Sequence, residues 1–155
     1  MQSALPDLSV HDTGPKLLLW NAEIRGNRAA MREKYLGIWQ TSTWREVASE
    51  VRKIACGLHV RGLKRGDKIS IIGDNRPRLY WTVLAAQSIG AVPVPIYQDS
   101  VAEETQYVLE HAESRFVIAE NQEQVDKVLE IKDRCPKVEV LLYCDPRGLR
   151  NYDVP

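Results

Sequence analysis

Cysteine is scarce in this sequence, and no two cysteines stand at a metal-binding or redox spacing. The 155 residues include three, Cys56, Cys135 and Cys144, an odd number without a C-x-x-C motif. Free thiols in a reducing compartment explain this set better than a disulfide framework, which predicts a cytoplasmic protein. A chain of this length can bury one hydrophobic core without disulfide or metal staples.

An excess of one charge and long apolar runs are also missing. The 21 basic and 21 acidic side chains cancel, so composition gives no reason to expect attraction to nucleic acid or to an anionic membrane. The longest charge-free apolar stretch, Leu79 to Ile89, is well short of the ~20 residues of a membrane-spanning helix. The N-terminus lacks the basic start and apolar core of a secretory signal. We therefore expect no nucleic-acid partner and no transmembrane segment.

The sequence contains no motif that assigns a catalytic, cofactor-binding or metal-binding residue. Its nine glycines match neither GxGxxG nor GxxxxGK[ST], and none of its serines lies in a GxSxG elbow. His11, His59 and His111 are far apart, so no pair has the i, i+4 spacing that places two zinc ligands on one helical face. We predict no cofactor and no catalytic or metal-ligating residue within this segment.

What the sequence does contain is a regular alternation of apolar strands and helices. Lys68 to Ile96 reads as a strand, a turn, an uncharged helix closed by Gly90 and a second apolar run. Further strands are predicted at 116–119 and 138–143. With right-handed crossovers this order predicts an α/β fold, a mostly parallel sheet with helices on both faces.

Prolines and capping residues set the predicted ends of these elements. Pro93 and Pro95 cannot lie within a fully paired strand, so pairing there should be limited to the strand's beginning or to one edge. Asp74 or Asn75 should cap the helix that follows the first strand. The pattern Ser100-Val101-Ala102-Glu103 predicts a capping box for the next helix, and Asn121 should cap the last, which runs to about Arg134.

A helix and a β-hairpin precede this α/β region. Residues 1–14 are expected to form an extended arm, followed by a helix over 16–25 with a left-handed ending at Gly26-Asn27. The apolar side of this helix is interpreted as a docking face for this or a neighbouring domain rather than a membrane-surface face.

The hairpin should pair 29–34 with 38–42 through Tyr35-Leu36-Gly37. A Thr43-x-x-Glu46 capping box opens the following helix, which Gly62 ends, with Leu63 folding back on Leu58.

The best candidate for a site is Gly73-Asp74-Asn75-Arg76. It follows a predicted parallel strand, and open α/β sheets bind ligands at the carboxyl ends of their strands. The alternative is that Asp74 and Asn75 only cap a helix and Arg76 is a solvated or partner-facing charge. Arg52-Lys53 and Arg61 to Arg65 are similarly open to two interpretations, phosphate binding or the solvated face and end of a helix.

Six segments of the sequence belong together: TWRE (43–46), GLKRGD (62–67), IIGDNRP (71–77), LAAQSIGAVPVPIY (84–97), SVAEE (100–104) and YVLEHAESR (107–115). In order and spacing they resemble the beginning of the AMP-forming acyl-CoA synthetases of the adenylate-forming superfamily, and most of all the bacterial long-chain fatty acid CoA ligases. One departure is Arg78-Leu79-Tyr80-Trp81, where many relatives have Glu-Trp directly after the turn.

The resemblance implies that residues 15–155 are the incomplete N-terminal α/β portion of an AMP-binding synthetase domain. Such enzymes use ATP, Mg and coenzyme A to convert a fatty acid into acyl-CoA, AMP and pyrophosphate, because AMP leaves far more readily than hydroxide. In the family, the phosphate loop, the magnesium-holding Glu, the ribose-binding Asp and the C-terminal lysine come after the segment matched here. The implied partner is the remainder of the synthetase domain, with fatty acid and coenzyme A bound only by the full-length protein.

Three hypotheses for function remain open at this point. The first is an N-terminal segment of a long-chain fatty acid CoA ligase, inactive alone, in the cytoplasm or peripheral to the inner membrane. The second is a non-catalytic α/β interaction module or half-enzyme that needs a partner chain. A segment of a larger sheet should self-associate when isolated, whereas an evolved module should be monodisperse. The third, an independent Rossmann-type enzyme, is weakened by the missing glycine loop.

Overall fold

The structure, a computed structural model, describes residues 5–152. No helix within that range is long and apolar enough to cross a membrane. A short 3-10 turn, Lys132–Arg134, follows the last helix. In chain order the elements are α1 (Gly14–Arg25), β1 (Ala29–Tyr35), β2 (Ile38–Thr43), α2 (Trp44–Val60), β3 (Lys68–Ile72), α3 (Pro77–Ile89), β4 (Val92–Ile96), α4 (Ala102–Ala112), β5 (Phe116–Ala119), α5 (Gln122–Ile131) and β6 (Val140–Tyr143).

The central sheet has four parallel strands in the order β4-β3-β5-β6. β3 lies between β4 and β5, so the crossover helices α3 and α4 lie on opposite faces of the sheet. Ile69, Ile71 and Phe116 pack with α1, α2 and α3 on one face. Ile72 and Val117 pack with α4 and α5 on the other. The predicted α/β fold with helices on both faces is confirmed.

The two ends of α2 confirm the sequence prediction in detail. The Thr43 hydroxyl accepts from the Glu46 N–H at 3.3 Å, and the Glu46 carboxylate accepts from the Thr43 N–H at 2.8 Å. At the other end, the Leu63 N–H donates to the Leu58 carbonyl at 3.0 Å, with Gly62 at φ 94°. These bonds satisfy backbone groups that a helix end leaves without partners.

The expected left-handed ending of α1 is wrong. Gly26 has φ −22°, so it is not in the left-handed region. A Cβ at this position would lie 2.7 Å from the Arg45 guanidinium, and the Gly26 carbonyl accepts from the Arg45 N–H at 3.1 Å. The absence of a Cβ gives the Arg45 side chain room to lie against the end of α1.

Two predicted helix starts are displaced. α3 begins after Arg76, which is its N-cap without a side-chain bond. The Asp74 carboxylate lies 3.6 Å from the Arg76 guanidinium, and the Asp74 N–H and the Arg76 guanidinium bond to Glu120. α4 begins after Val101 rather than Ser100, since Ser100 closes a turn by donating to the Tyr97 carbonyl at 3.2 Å. The caps predicted for Asp74 or Asn75, and the capping box predicted from Ser100, are therefore wrong. The cap at Asn121 is confirmed.

Strand β4 is an edge strand, which explains its prolines. Its register with β3 runs along its full length, from Lys68 opposite Val92 to Ile72 opposite Ile96. The Val92 N–H points to the β3 side, where it bonds the Asp67 carbonyl at 2.8 Å. Because alternate residues point to opposite sides, Pro93 and Pro95 face the outer edge, where their missing N–H groups cost no sheet hydrogen bond. The prediction of pairing at one edge is confirmed.

The N-terminal region holds a turn and the predicted hairpin. Residues 7–11 form a turn in which the Asp7 carbonyl accepts from the His11 N–H at 2.8 Å, so this part of the expected extended arm is compact; residues 1–4 lie outside the described range. β1 and β2 pair antiparallel as predicted. Their two-residue turn has Leu36 at φ 47° and Gly37 at φ 81°, the positive values of a type I′ turn.

Candidate functional site

A cleft opens where the strands of the central sheet end. It has a volume of about 640 Å³ and lies at the carboxyl ends of β3, β5 and β6, the edge at which open α/β sheets bind ligands. The hairpin forms one wall with Glu33, Tyr35 and Gln40. The polar and ionisable residues that line the other walls are Asp74, Arg76, Arg78, Thr82, Glu120, Asn121, Cys144, Asp145 and Arg147.

Backbone hydrogen bonds beyond the strand ends bring these residues together. The Glu120 N–H donates to the Ile72 carbonyl, and the Cys144 N–H donates to the Ala119 carbonyl, both at 2.9 Å. The parallel hydrogen-bond pattern between neighbouring strands therefore continues to the first residue after β5 and the first residue after β6. Parallel strands end at the same edge of the sheet, so their first loop residues become neighbours.

Glu120 is the centre of the polar network in the cleft. Its carboxylate accepts from the Asp74 N–H at 2.5 Å and from Arg76 Nε at 3.0 Å, and its side chain is only 21% exposed. Gly73 permits this approach, because a Cβ at that position would lie 2.7 Å from both Cβ and Oε2 of Glu120. The β3–α3 turn and the end of β5 are thus joined through one carboxylate.

The other two arginines of the cleft also have partners. Arg78 Nη1 donates to the Cys144 carbonyl at 2.6 Å, and Arg147 Nε donates to Asp145 Oδ2 at 2.7 Å. The hydrogen bond from Arg147 lowers the pKa of the Asp145 carboxyl. Each arginine of the cleft therefore has at least one partner within the chain.

Cys144 is the one thiol in the cleft lining. Burial is the main cause that raises its pKa above the usual value of a thiol, so it remains protonated at neutral pH. A protonated thiol is a weak nucleophile. The thiol of Cys144 is therefore not an activated nucleophile.

The structure tests the candidate residues one by one. Gly73, Asp74 and Arg76 do line the cleft, whereas Asn75 is exposed and lies 3.5 Å from the Tyr80 hydroxyl. Sequence reasoning missed Glu120 and Asp145, although each directly follows or nearly follows a predicted strand, and the meeting of parallel strand ends was the signal that could have found them.

The basic stretches Arg52-Lys53 and 61–65 belong to the exposed face and the end of α2. Lys53 pairs with Glu50 on the exposed face of α2, and Arg61 bonds the Gly57 carbonyl at the end of that helix, which favours a helix face and terminus over phosphate binding. His11 lies against Trp20, and His111 stacks on Tyr107. Within residues 5–152 there is no cluster of three or more metal-ligating side chains.

Comparisons with known proteins agree on one family. The family model described as AMP-binding enzyme matches residues 18–153. An uncharacterized protein of Mycobacterium tuberculosis is 40% identical over 89 residues, which are 57% of this chain and 50% of that protein. The long-chain-fatty-acid–CoA ligase FadD15 of Mycobacterium bovis is 33% identical over 108 residues, which are 68% of this chain and 18% of the ligase.

A solved structure shows the same fold. The N-terminal domain of FACL13 from Mycobacterium tuberculosis, crystallised with an inhibitor, superposes with a TM-score of 0.76 at 20% identity, covering 83% of this chain and 32% of that one. The matched part of this chain spans half or less of the length of the curated relatives named above.

Proposed function

The chain belongs to the AMP-binding enzyme family, and from this premise we propose that it is the N-terminal scaffold segment of a long-chain fatty acid CoA ligase. The whole enzyme would join a fatty acid to coenzyme A at the expense of ATP, with an acyl-adenylate as intermediate and AMP and pyrophosphate as products. The observation that carries the proposal is the likeness to FadD15 over 68% of this chain.

The chain's own residues suit a scaffold role. Arg76, Arg78 and Arg147 are bonded to Glu120, Cys144 and Asp145, and these bonds join the loops that follow β3, β5 and β6. We therefore propose that ATP, Mg and coenzyme A bind the remainder of the synthetase domain, and that this segment alone is inactive. The three free cysteines accord with a cytoplasmic location, with or without peripheral contact to the inner membrane.

The open side of the sheet supports a second candidate, a half-enzyme or interaction module that joins a partner chain. Within the described residues β6 pairs with β5 alone, and its Val140, Leu141 and Leu142 remain half-buried. Unpaired backbone groups along a strand edge can accept another strand. That strand would come from the remainder of the same polypeptide in the first proposal and from a separate chain in the second.

The intact mass of the natural polypeptide in its own cells distinguishes the two. A mass several times 17.6 kDa supports the ligase segment, and fatty-acid-dependent pyrophosphate release should then follow from the intact protein. A mass near 17.6 kDa supports the half-enzyme, which should copurify with a second chain. Fatty-acid-dependent pyrophosphate release by the purified 155-residue chain alone would contradict both.

A further inference from the structure

Helix α4 turns one side to solvent, and that side has a tyrosine at its centre. Tyr107 is 66% exposed. Residues three and four positions away are neighbours on a helix surface, and here these are Glu103, Glu104, Glu110 and His111, all of them exposed. The opposite side of the helix packs on the sheet. We call these five residues the outer face of α4.

His111 stacks on the tyrosine ring and covers one side of it. The centroids of the two rings are 5.6 Å apart, and the ring planes are inclined by only 11°. Because Tyr107 is nevertheless exposed over most of its surface, the other side of its ring is open to solvent. An aromatic ring held in this way offers a flat surface on which a planar cation can stack.

The three carboxylates of the outer face have no cation as a partner. Glu104 accepts from the Val101 N–H at 3.4 Å, and Glu110 accepts from the Gln106 amide at 3.3 Å. Within residues 5–152, no lysine, arginine or histidine forms an ion pair with Glu103, Glu104 or Glu110. From Glu103 to Glu110 the helix rises by roughly 10 Å. The outer face of α4 is therefore negatively charged over about two turns around an open aromatic ring.

We propose that the outer face of α4 docks an arginine-rich segment of a partner protein. The charges are complementary, and a guanidinium can stack on the open side of Tyr107 while it donates two N–H groups to a neighbouring carboxylate. Lysine has no planar group, so it pairs with a carboxylate but does not stack flat on the ring. This surface lies outside the cleft, so the proposal holds under either of the two candidate functions.

Other classes of partner fit this face less well. An anionic bilayer and a nucleic acid carry the same sign of charge and are repelled. A second copy of the chain that docked by its own outer face of α4 would place carboxylate against carboxylate. Among the described residues no three metal-ligating side chains form a cluster, so the carboxylates do not share one metal ion. The occupant is therefore cationic and extended, as an arginine-rich segment is.

Fluorescence anisotropy of a labelled hexa-arginine peptide, titrated with the 155-residue chain, tests the proposal. Binding is expected to fall as salt is raised and to be about threefold weaker for hexa-lysine. Replacing two carboxylates of the outer face, Glu103→Gln with Glu110→Gln, should weaken binding about tenfold. The matched control, Glu23→Gln with Glu50→Gln, makes the same charge change on α1 and α2, on the other face of the sheet, and should bind as the wild type does.

A second variant, Tyr107→Ser, measures the contribution of the aromatic ring. It should weaken hexa-arginine binding about fivefold and remove the preference for arginine over lysine, while the dependence on salt remains. Tyr80→Ser, at an exposed tyrosine within α3, is the matched control and should leave both the affinity and the preference unchanged. Both tyrosines are exposed, so both variants should fold, and their thermal unfolding curves check this.

Three results would overturn the proposal. Equal weakening by the α4 variants and their controls would show that only the net charge of the chain matters. Displacement of the peptide by spermidine at an equal concentration of positive charge would identify a small polyamine as the occupant. Self-association of the wild type that is lost in Glu103→Gln with Glu110→Gln, measured by sedimentation velocity, would identify a second copy of the chain.

Discussion

At the scale of single residues, the close approach of Glu120 to Gly73 determines how the polar side chains of the cleft are arranged. Gly73 has no side chain, and the space it leaves is occupied by Glu120, which bonds the Asp74 N–H and the Arg76 guanidinium. A carboxylate that is largely removed from water needs such partners. The glycine and the glutamate therefore act as a pair, 47 positions apart in the chain.

Gly73→Ala should destabilise the fold by about 1–3 kcal/mol, because the new Cβ meets Glu120 and has no freedom to move away. The matched control is Gly57→Ala in α2, whose Cβ would find no atom closer than 3.8 Å. That substitution should stabilise the helix by roughly 0.5–1 kcal/mol. Urea unfolding measures the free energy of unfolding of both variants. Equal midpoints for Gly73→Ala and Gly57→Ala would contradict the prediction.

Glu46 should make stability depend on pH. Hydrogen bonds from the Thr43 N–H and hydroxyl lower the pKa of its carboxyl. The folded pKa lies below the unfolded one, so this contribution is present above the unfolded pKa and is lost as the pH falls through the folded pKa.

The test is unfolding of the wild type and Glu46→Gln between about pH 6 and pH 3. The wild type should lose more stability over that interval than Glu46→Gln does. Thr43→Ser keeps the hydroxyl and should follow the wild type. If the stability of the wild type and of Glu46→Gln fell equally with pH, the Glu46 capping bond would not be a source of the pH dependence.

At the scale of elements, local patterns placed the helices but tertiary contacts moved some of their ends. α2 keeps its predicted capping box because Thr43 and Glu46 need only each other. α4 begins one residue later than predicted, with Val101 as N-cap. Of the two capping-box hydrogen bonds, the one present is that in which the Glu104 carboxylate accepts from the Val101 N–H at 3.4 Å. Valine cannot accept a hydrogen bond, so half of the capping box is missing.

Val101→Thr should complete that capping box and stabilise the protein by about 0.5–1.5 kcal/mol. Val101 is exposed, so little packing is lost, and its backbone already has the extended conformation of an N-cap. Val60→Thr is a control at an exposed position without a cap to supply. Thermal unfolding followed by circular dichroism should show the gain for the first variant only.

At the scale of the whole molecule, the two edges of the sheet differ. β4 closes its outer edge with Pro93 and Pro95, which have no N–H to donate. β6 has no proline and, within the described residues, no second neighbour. The sheet can therefore be extended beyond β6 but not readily beyond β4, which is the arrangement expected of a segment that joins a larger domain.

Replacing both edge prolines, Pro93→Thr with Pro95→Thr, should increase self-association of the purified chain, because donors then line the β4 edge. Sedimentation velocity at several concentrations should show larger species for this variant than for the wild type. Val92→Thr, on the same strand, leaves the number of donors unchanged and serves as control. An unchanged distribution would mean that the prolines do not protect this edge.

The sequence by itself determined the elements and their order. Strand residues such as Ile69 to Ile72, the prolines of β4 and the capping residues Thr43, Glu46 and Asn121 act through local backbone geometry and burial pattern, which can be read without knowing the neighbours. From these the parallel sheet and its two helical layers followed, and six sequence segments in register indicated the family.

Only the tertiary structure decided how distant residues meet. Gly26 could be understood only once Arg45 lay against it, and the polar network of the cleft only once Glu120, which follows β5, met the Asp74 N–H and the Arg76 guanidinium. Such features depend on contacts between residues far apart in the chain, and a local pattern carries no information about them.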